Sequence, residues 1–251
     1  MTADTLTAFA EQISSRVPAL LASAQDGPIA RAADLLADAV AAGGVIRCFG
    51  TGHSEAFAME VAGRAGGLIP TSRMSLKDLV VYGSRKAADL TPEFERDPSF
   101  APELFGLYPH DPTDIYIIAS NSGVNGSIVG VAHEVKERGN LLIAVTSLDH
   151  TMKVEPKHPS GKRLADLADV VIDNLAPYGD STLSLGGGVT MGAISSITAA
   201  YIAQFLTLGT TERLIARGIE PPVFISANVP GGDEHNNARK ERYKGRLRLD
   251  G

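Results

Sequence analysis

An α/β fold built on a parallel, helix-covered sheet is the class this sequence predicts, on three observations. Short apolar runs fit for buried strands alternate with longer stretches whose apolar residues recur at helical spacing, the pattern a parallel sheet needs. Two of those runs, VIRCF (45–49) and DIYIIA (114–119), lead straight into loops of glycine, serine and asparagine that open into helices. The balance of 44% hydrophobic and 21% charged residues over 251 positions is that of an ordinary globular chain, long enough to bury a sizeable core.

Residues 4–24 and 28–42 are Ala/Leu-rich with helical spacing and meet at Asp26-Gly27-Pro28, a helix stop and restart. VIRCF is the first strand; GTGH follows, then a helix over about 54–65 closed by Gly66-Gly67. LIPTS (68–72) is the second strand. Residues 73–112 are less regular, with short helices around 75–82 and 92–105. DIYIIA is a strand, 126–138 a helix closed by Gly139, and LLIAVT (141–146) and DVVIDN (169–174) are further strands. A long helix covers 191–217 and ends at RGIEPP, and VFIS (223–226) is a last short strand. The chain divides into N-terminal helices over 1–43, a core over 44–227 and a C-terminal arm over 228–251, all of one domain.

A net charge of −6 repels nucleic acid and anionic membranes from the molecule as a whole. The arm carries six Lys/Arg between Arg239 and Arg248, but Glu241 interrupts the run and no aromatic platform accompanies it, so a solvated or subunit-bound tail is expected. No apolar run reaches the roughly 18 residues of a membrane span. The opening MTADTLTAFAEQ carries Asp4 and Glu11 and lacks a basic leader, which excludes a signal peptide and points to the cytoplasm. The single cysteine, Cys48, lies inside a strand and is expected to be an inert core thiol.

Chemistry concentrates in two strand–loop–helix units. In VIRCFGTGHSEAF the glycines let backbone N–H groups approach an oxyanion, Ser54 can cap the helix and donate its hydroxyl, and the helix start adds partial positive charge. A dinucleotide fingerprint fails because Glu55 stands at its third glycine, and a nucleophile elbow fails because Ala56 stands at its last. In IIASNSGVNGS, Ser120, Asn121, Ser122 and Asn125 set hydroxyl and amide donors around Gly123, with no basic residue inside the loop. Such a set suits a dianionic phosphoryl group, and a triphosphate is excluded by the missing Walker lysine. Either loop alone is also what a plain serine- or asparagine-rich turn looks like. Two on one sheet point to a bound phosphate.

IASNSGVN resembles the S-x-S-G-x-T phosphate loop of the sugar isomerase (SIS) domain, with Asn125 where that loop has threonine. GTGHS resembles its first substrate loop, and LLIAVTS and the long helix near 191–217 fit the same plan. The N-terminal helices and the PPVFISANVPGGDEHNNARKERYKGR tail resemble stand-alone SIS proteins, which extends the likeness to nearly the whole chain. The resemblance implies a three-layer α/β/α sandwich, a phosphosugar ligand, no cofactor, and a homodimer, or a tetramer, in which a C-terminal segment reaches the partner's site. By the same resemblance, Gly52, His53, Ser54, Ser120, Asn121, Ser122, Gly123, Asn125 and Ser147 are the phosphate and substrate contacts.

Carboxylates are the natural acid/base groups for such a ligand. Glu55 follows the first glycine loop directly, and Glu60 pairs with Arg64 at i,i+4. SIS enzymes place a catalytic glutamate ten residues after the loop serine, where Arg64 stands here; Glu60 is one turn earlier and can substitute, with Arg64 left as a substrate contact. The bland readings are an ordinary surface pair for Glu60 and a helix-dipole partner for Glu55. The six histidines, His53, His110, His133, His150, His158 and His235, form no H-x-x-x-H or H-E-x-x-H, so no metal is expected. His235, on an expected loop, is a candidate ring-opener or acid, and Lys162 in KHPSGKRL is a candidate contact from a lid. The expected chemistry is removal of the C2 proton of an amino-hexose 6-phosphate, N-acetylglucosamine 6-phosphate first, with loss of the C3 substituent. Aldose–ketose isomerisation and a non-enzymatic phosphosugar sensor are the alternatives.

Overall fold

The computed structural model describes residues 3–247 of the chain. Helices α1 (Ala3–Ser14), α2 (Val17–Asp26) and α3 (Pro28–Ala41) come first. The break at Gly27-Pro28 is where the sequence puts it, but the helix expected over 4–24 is two. Pro18, in the first turn of α2, is the cause: it has no N–H for the Ser14 carbonyl and begins a helix rather than continuing one.

Then come β1 (Ile46–Gly50), α4 (Glu55–Val61), β2 (Thr71–Met74), α5 (Asp78–Val81), α6 (Ala101–Gly106), β3 (Ile115–Ala119) and α7 (Gly126–Glu137). After these run β4 (Leu141–Thr146), α8 (Leu148–Thr151), α9 (Leu164–Leu167) and β5 (Val170–Asp173). The five strands are all parallel, in the order β2-β1-β3-β4-β5.

Every residue of β1 and β3 is buried, as expected of strands covered on both faces. Strand alternation then sorts the side chains. Ile46, Cys48, Ile117 and Ile143 face Leu36, Val40, Phe57, Ile202 and Leu206. Phe49, Tyr116, Ile118 and Leu142 face Leu104, Ile128, Val131 and Leu164. This is the three-layer α/β/α sandwich. Burial pushes the Cys48 thiol far up, and Cys48 is a core residue.

Several elements depart from expectation. Helix α4 ends at Val61, not near residue 65, because Gly63 at φ +75 leaves the helical path before Gly66 is reached. Only the end of LIPTS is strand: β2 begins at Thr71 and runs on to Met74, and Leu68 bridges Val223 antiparallel, the single bridge formed where VFIS was expected to be a strand. The helix expected over 92–105 is a 3-10 turn, Phe94–Arg96, then α6, with Pro98 between them. The long helix begins later than expected. The hairpin β6 (Ser181–Ser184) and β7 (Thr190–Ala193), turned by Gly186-Gly187-Gly188, takes its first residues, and α10 (Ser195–Ala216) follows.

The arm is more ordered than a solvated tail. It forms α11 (Gly232–Lys240) and a 3-10 turn, Glu241–Tyr243. Tyr243 and Phe224 pack on Val45 and Ile69, just before β1 and β2, so the arm caps the amino-terminal edge of the sheet. Two of its charges are spent there. Arg239 pairs with Glu220, and Arg246 pairs with Asp114 and donates to the Gly43 carbonyl at 2.6 Å. Arg248 lies outside the described residues. Among those residues no helix is long and apolar enough to cross a membrane.

Candidate active site

The strand order reverses direction between β1 and β3. The chain leaves β1 for β2 on one side through α4, and leaves β3 for β4 on the other through α7. Loops that part in this way leave a crevice beyond the carboxyl ends of the strands, where ligands of such sheets bind. Gly50 and Ala119 are the last paired residues of β1 and β3, so GTGHS and SNSGVN emerge side by side.

In the first loop a Cβ on Gly50 would overlap the Ser54 carbonyl, so only glycine permits the turn. Gly52, His53 and Ser54 form a 3-10 turn into α4. Ser54 makes no capping hydrogen bond, contrary to the expected cap, and its hydroxyl stays available. His53 and Ser54 meet Ser120, Asn121, Asn174 and Ser195 around a cleft of about 20 Å³.

The second loop is braced from below. Ser120 Oγ accepts from Gly123 N at 3.1 Å, and Asn121 Oδ1 accepts from Asn174 Nδ2 at 3.0 Å. The Asn121 carbonyl accepts from Ser147 N at 3.1 Å. Gly123 sits at φ +63, and a Cβ there would stand 2.9 Å from Thr146 Oγ1. Both facts require glycine. The first-turn N–H groups of α7, which opens directly from this loop, find no carbonyl within the helix. The loop does have a basic neighbour, which the sequence alone hid: Lys157 Nζ lies 3.4 Å from Asn125 Oδ1. The strap bearing Lys157 is itself fixed to the loop, with Lys157 N donating to Val124 O at 3.1 Å and Leu164 N to Gly123 O at 2.8 Å.

Two cavities adjoin the loops. One, of about 310 Å³, is lined by Gly50, Gly52, Glu55, Ser75, Lys77 and Glu95, among others. The other, of about 390 Å³, has Asn125, Lys157, Arg96 and Glu95 in its wall. Leu90, Thr91 and Glu95 belong to both, so the two are neighbouring parts of one groove. Either has the volume of a small-molecule site. Glu55 is held in place: Oε1 accepts from Ser75 Oγ at 2.8 Å, Oε2 stands 3.3 Å from Lys77 Nζ, and Arg73 is 3.7 Å away.

The structure separates the remaining candidates. Glu60 lines neither cavity; its carboxylate takes Arg64 and, at 2.5 Å, Gln204 Nε2. Arg64 lies past the end of α4, so its pairing with Glu60 is not on a shared helix face. The Ser147 hydroxyl is wholly buried, donating to Ala176 O at 2.6 Å and accepting from His150 N at 3.0 Å; it braces the loop and offers no donor to a ligand. His235 is on α11, not a loop. Its Nε2 meets Val223 O and its Nδ1 meets Arg239, both at 3.0 Å, at the far edge of the sheet within this chain. Lys162 is exposed, and its strap reaches the loop through Lys157 instead. Lys77, Ser75, Glu95, Arg96 and Lys157 are site-lining residues that the sequence did not single out. Only Lys157, at the edge of the suspected lid, carried a local signal. Among the described residues no three His, Cys, Asp or Glu side chains converge as metal ligands.

A doubly wound sheet with two polar glycine loops and a groove bearing both carboxylates and cations at its switch point defines a class of α/β proteins whose small ligands sit beyond the strand ends. Residues 8–147 match the model of the SIS domain. The chain is 33% identical over 240 residues to a UPF0309 protein of Geobacillus thermodenitrificans, with 95% of each chain covered. It is 36% identical over 229 residues to a UPF0309 protein of Listeria monocytogenes, covering 90% of this chain and 92% of that one. The chain therefore belongs to the SIS domain family and, within it, groups with the UPF0309 proteins. Among solved structures, a phosphoheptose isomerase from Francisella tularensis superposes with a TM-score of 0.55 at 18% identity, over 84% of this chain and 100% of that one. A Silicibacter pomeroyi chain described as a candidate phosphosugar isomerase gives 0.50 at 19%; this chain spans 51% of its length. At these identities the likeness is one of fold.

Proposed function

We propose that this protein is an enzyme acting on a hexose or amino-hexose 6-phosphate, removing the proton on C2 of the open-chain sugar. The observation that carries the reading is the juxtaposition, at one switch point, of the braced SNSGVN loop with a groove that holds two carboxylates, Glu55 and Glu95, beside Lys77, Arg96 and Lys157. Binding energy from the phosphate end then positions C1–C3 over the acid/base groups. Lys77 Nζ, steadied by Glu55, faces the same cavity and suits the negative charge that grows on O1. A carboxylate of the groove takes the C2 proton, and the C–H electron pair becomes the C1=C2 bond of an enolate.

Two outcomes follow. Reforming C1=O while the C1=C2 pair moves to C2=C3 expels the C3 hydroxyl, which takes the proton and leaves as water. With a hexose phosphate, returning the proton to C1 while O2 passes its own to O1 makes a ketose. Elimination from N-acetylglucosamine 6-phosphate is the first reaction to test. Isomerisation is favoured by the likeness of fold to the Francisella enzyme. A homodimer fits the exposed Tyr201, Leu208 and Ile215, seven residues apart along one side of α10.

Proton NMR in D2O tests the reading. Loss of the C2 proton signal is expected, with vinyl signals and ultraviolet absorbance for elimination or ketose signals for isomerisation. Saturable binding with no exchange and no product would make the protein a sensor.

A further inference from the structure

We infer that Glu95, which nothing in the sequence singles out, is the base that takes the C2 proton; this rests on the proton-transfer reading above. Its backbone is held unusually firmly for a residue in an irregular segment. Ser127 Oγ, in the first turn of α7, donates to the Glu95 carbonyl. A Cβ on Gly126 would overlap the Arg96 carbonyl, and one on Gly130 would stand 3.0 Å from the Pro98 carbonyl, so α7 and the 94–98 backbone are in direct contact. Phe94 is buried against Phe100, ring centroids 4.9 Å apart, and Arg85 covers its ring at 5.8 Å.

The side chain is the opposite. Among the described residues the Glu95 carboxylate has no hydrogen-bond or ion-pair partner, and it stands in the wall shared by the two cavities. Its oxygens are 3.5 and 3.7 Å from where a Cβ on Gly52 would be, at the first loop. A carboxylate carried by a fixed backbone, with its lone pairs free, between the anion loop and the catalytic cavity, is placed to accept a proton. Glu55 is not: Ser75, Lys77 and Arg73 occupy its oxygens. The two glutamates thus divide the work. Glu55 fixes the cation that meets O1, and Glu95 takes the proton from C2. The seat of Glu95 on α7 also ties it to the second loop, because the turn that holds its carbonyl opens directly from SNSGVN.

The test compares wild type with Glu95→Gln and Glu55→Gln on a panel of hexose and N-acetyl amino-hexose 6-phosphates. Binding is read by calorimetry and C2 exchange by proton NMR in D2O. Glu95→Gln is expected to bind within about threefold of wild type and to melt within about 2 °C of it, while exchange falls roughly 10²–10⁴-fold. Exchange by Glu95→Gln within tenfold of an active wild type would overturn the assignment and leave the proton-transfer reading standing. A wild type that binds panel members and exchanges none would overturn both. A large melting loss in Glu95→Gln would show that the carboxylate is bonded after all, and would overturn the argument from its freedom.

Discussion

Asn174 Nδ2 donates to Asn121 Oδ1 across 3.0 Å, tying the end of β5 to the anion loop at the end of β3. Asn174 is itself locked, with its N–H on Thr146 O at 2.9 Å and its Oδ1 taking Ala176 N at 3.0 Å. The loop's shape is thus set from two strands away. Asn174→Ala leaves the half-buried Asn121 amide and the buried Ala176 N–H without partners and is expected to cost about 1–3 kcal/mol, read by urea unfolding. Asn174→Asp turns a donor into an acceptor facing Asn121 Oδ1 and adds a negative charge beside the loop. Its affinity for inorganic phosphate, measured by calorimetry, is expected to fall further than that of the alanine variant.

Gly126 touches the Arg96 carbonyl so closely that no Cβ fits, and the neighbour is backbone, which cannot swing aside. Gly126→Ala is expected to destabilise the fold by about 1–3 kcal/mol or more and to displace the 94–98 segment. Catalysis should suffer beyond the loss of folded protein. At a temperature where the variant is fully folded by circular dichroism, its turnover is expected to stay well below wild type. Equal turnover would show that α7 does not position Glu95.

How much of this was legible in the sequence depended on how local the cause was. Four of the five strands of the sheet, all but β2, and the two loops follow from apolar runs and punctuation, which act over a few residues. Three places then misled. Pro18 and Gly63 each ended or began a helix inside an otherwise helical pattern, and the hairpin turned at Gly186-Gly187-Gly188 takes residues 191–193, which were expected to open the long helix. The loops were legible because strand, glycine and serine are contiguous. Glu95 and Lys77 were not, because they arrive from residues 73–112, whose path is set by Phe94, Phe100 and Leu104 packing against α7 and not by any local period. Glu60 looked better than Glu55 by spacing from the loop serine. In the fold Glu60 is taken up by Arg64 and Gln204 outside the two cavities, whereas Glu55 lines one of them.

His133 and His158 stack with centroids 5.0 Å apart, joined through Ser160 Oγ at 3.0 and 2.8 Å. They hold the strap that carries Lys157 against α7, with Glu134 and Glu137 nearby. His158 Nδ1 also accepts from Ser160 N at 3.1 Å, so a proton there would set two donors against each other. Burial, and then the neighbouring His133, hold the His158 imidazole below its ordinary 6.5. The fold therefore favours the neutral ring, and the unfolded chain binds the extra proton. This contribution is complete above about pH 6.5 and is lost as pH falls through that value towards the folded one, levelling off below it. Melting temperature is expected to drop over that window in wild type. Against Glu, Asp and other titrations common to both proteins, His158→Gln should show a smaller drop.

Lys157 and Lys162 lie on one strap, but only Lys157 Nζ reaches the anion loop, 3.4 Å from Asn125 Oδ1. Asn125 keeps its amide hydrogens for a ligand when its oxygen is turned to the lysine, so the pair presents an ammonium and an amide together to a phosphoryl group. A charge-assisted hydrogen bond contributes about 1.5–3 kcal/mol, or roughly a tenfold to hundredfold change in affinity. Lys157→Ala is expected to weaken phosphosugar binding by that factor and to reduce its dependence on salt, since one screened charge is gone. Lys162→Ala, exposed and one strap turn away, is expected to change affinity less than threefold. The reverse order, in a calorimetric titration at two ionic strengths, would mean that the strap closes over the ligand with Lys162 inward, and would move the cation of the site from one lysine to the other.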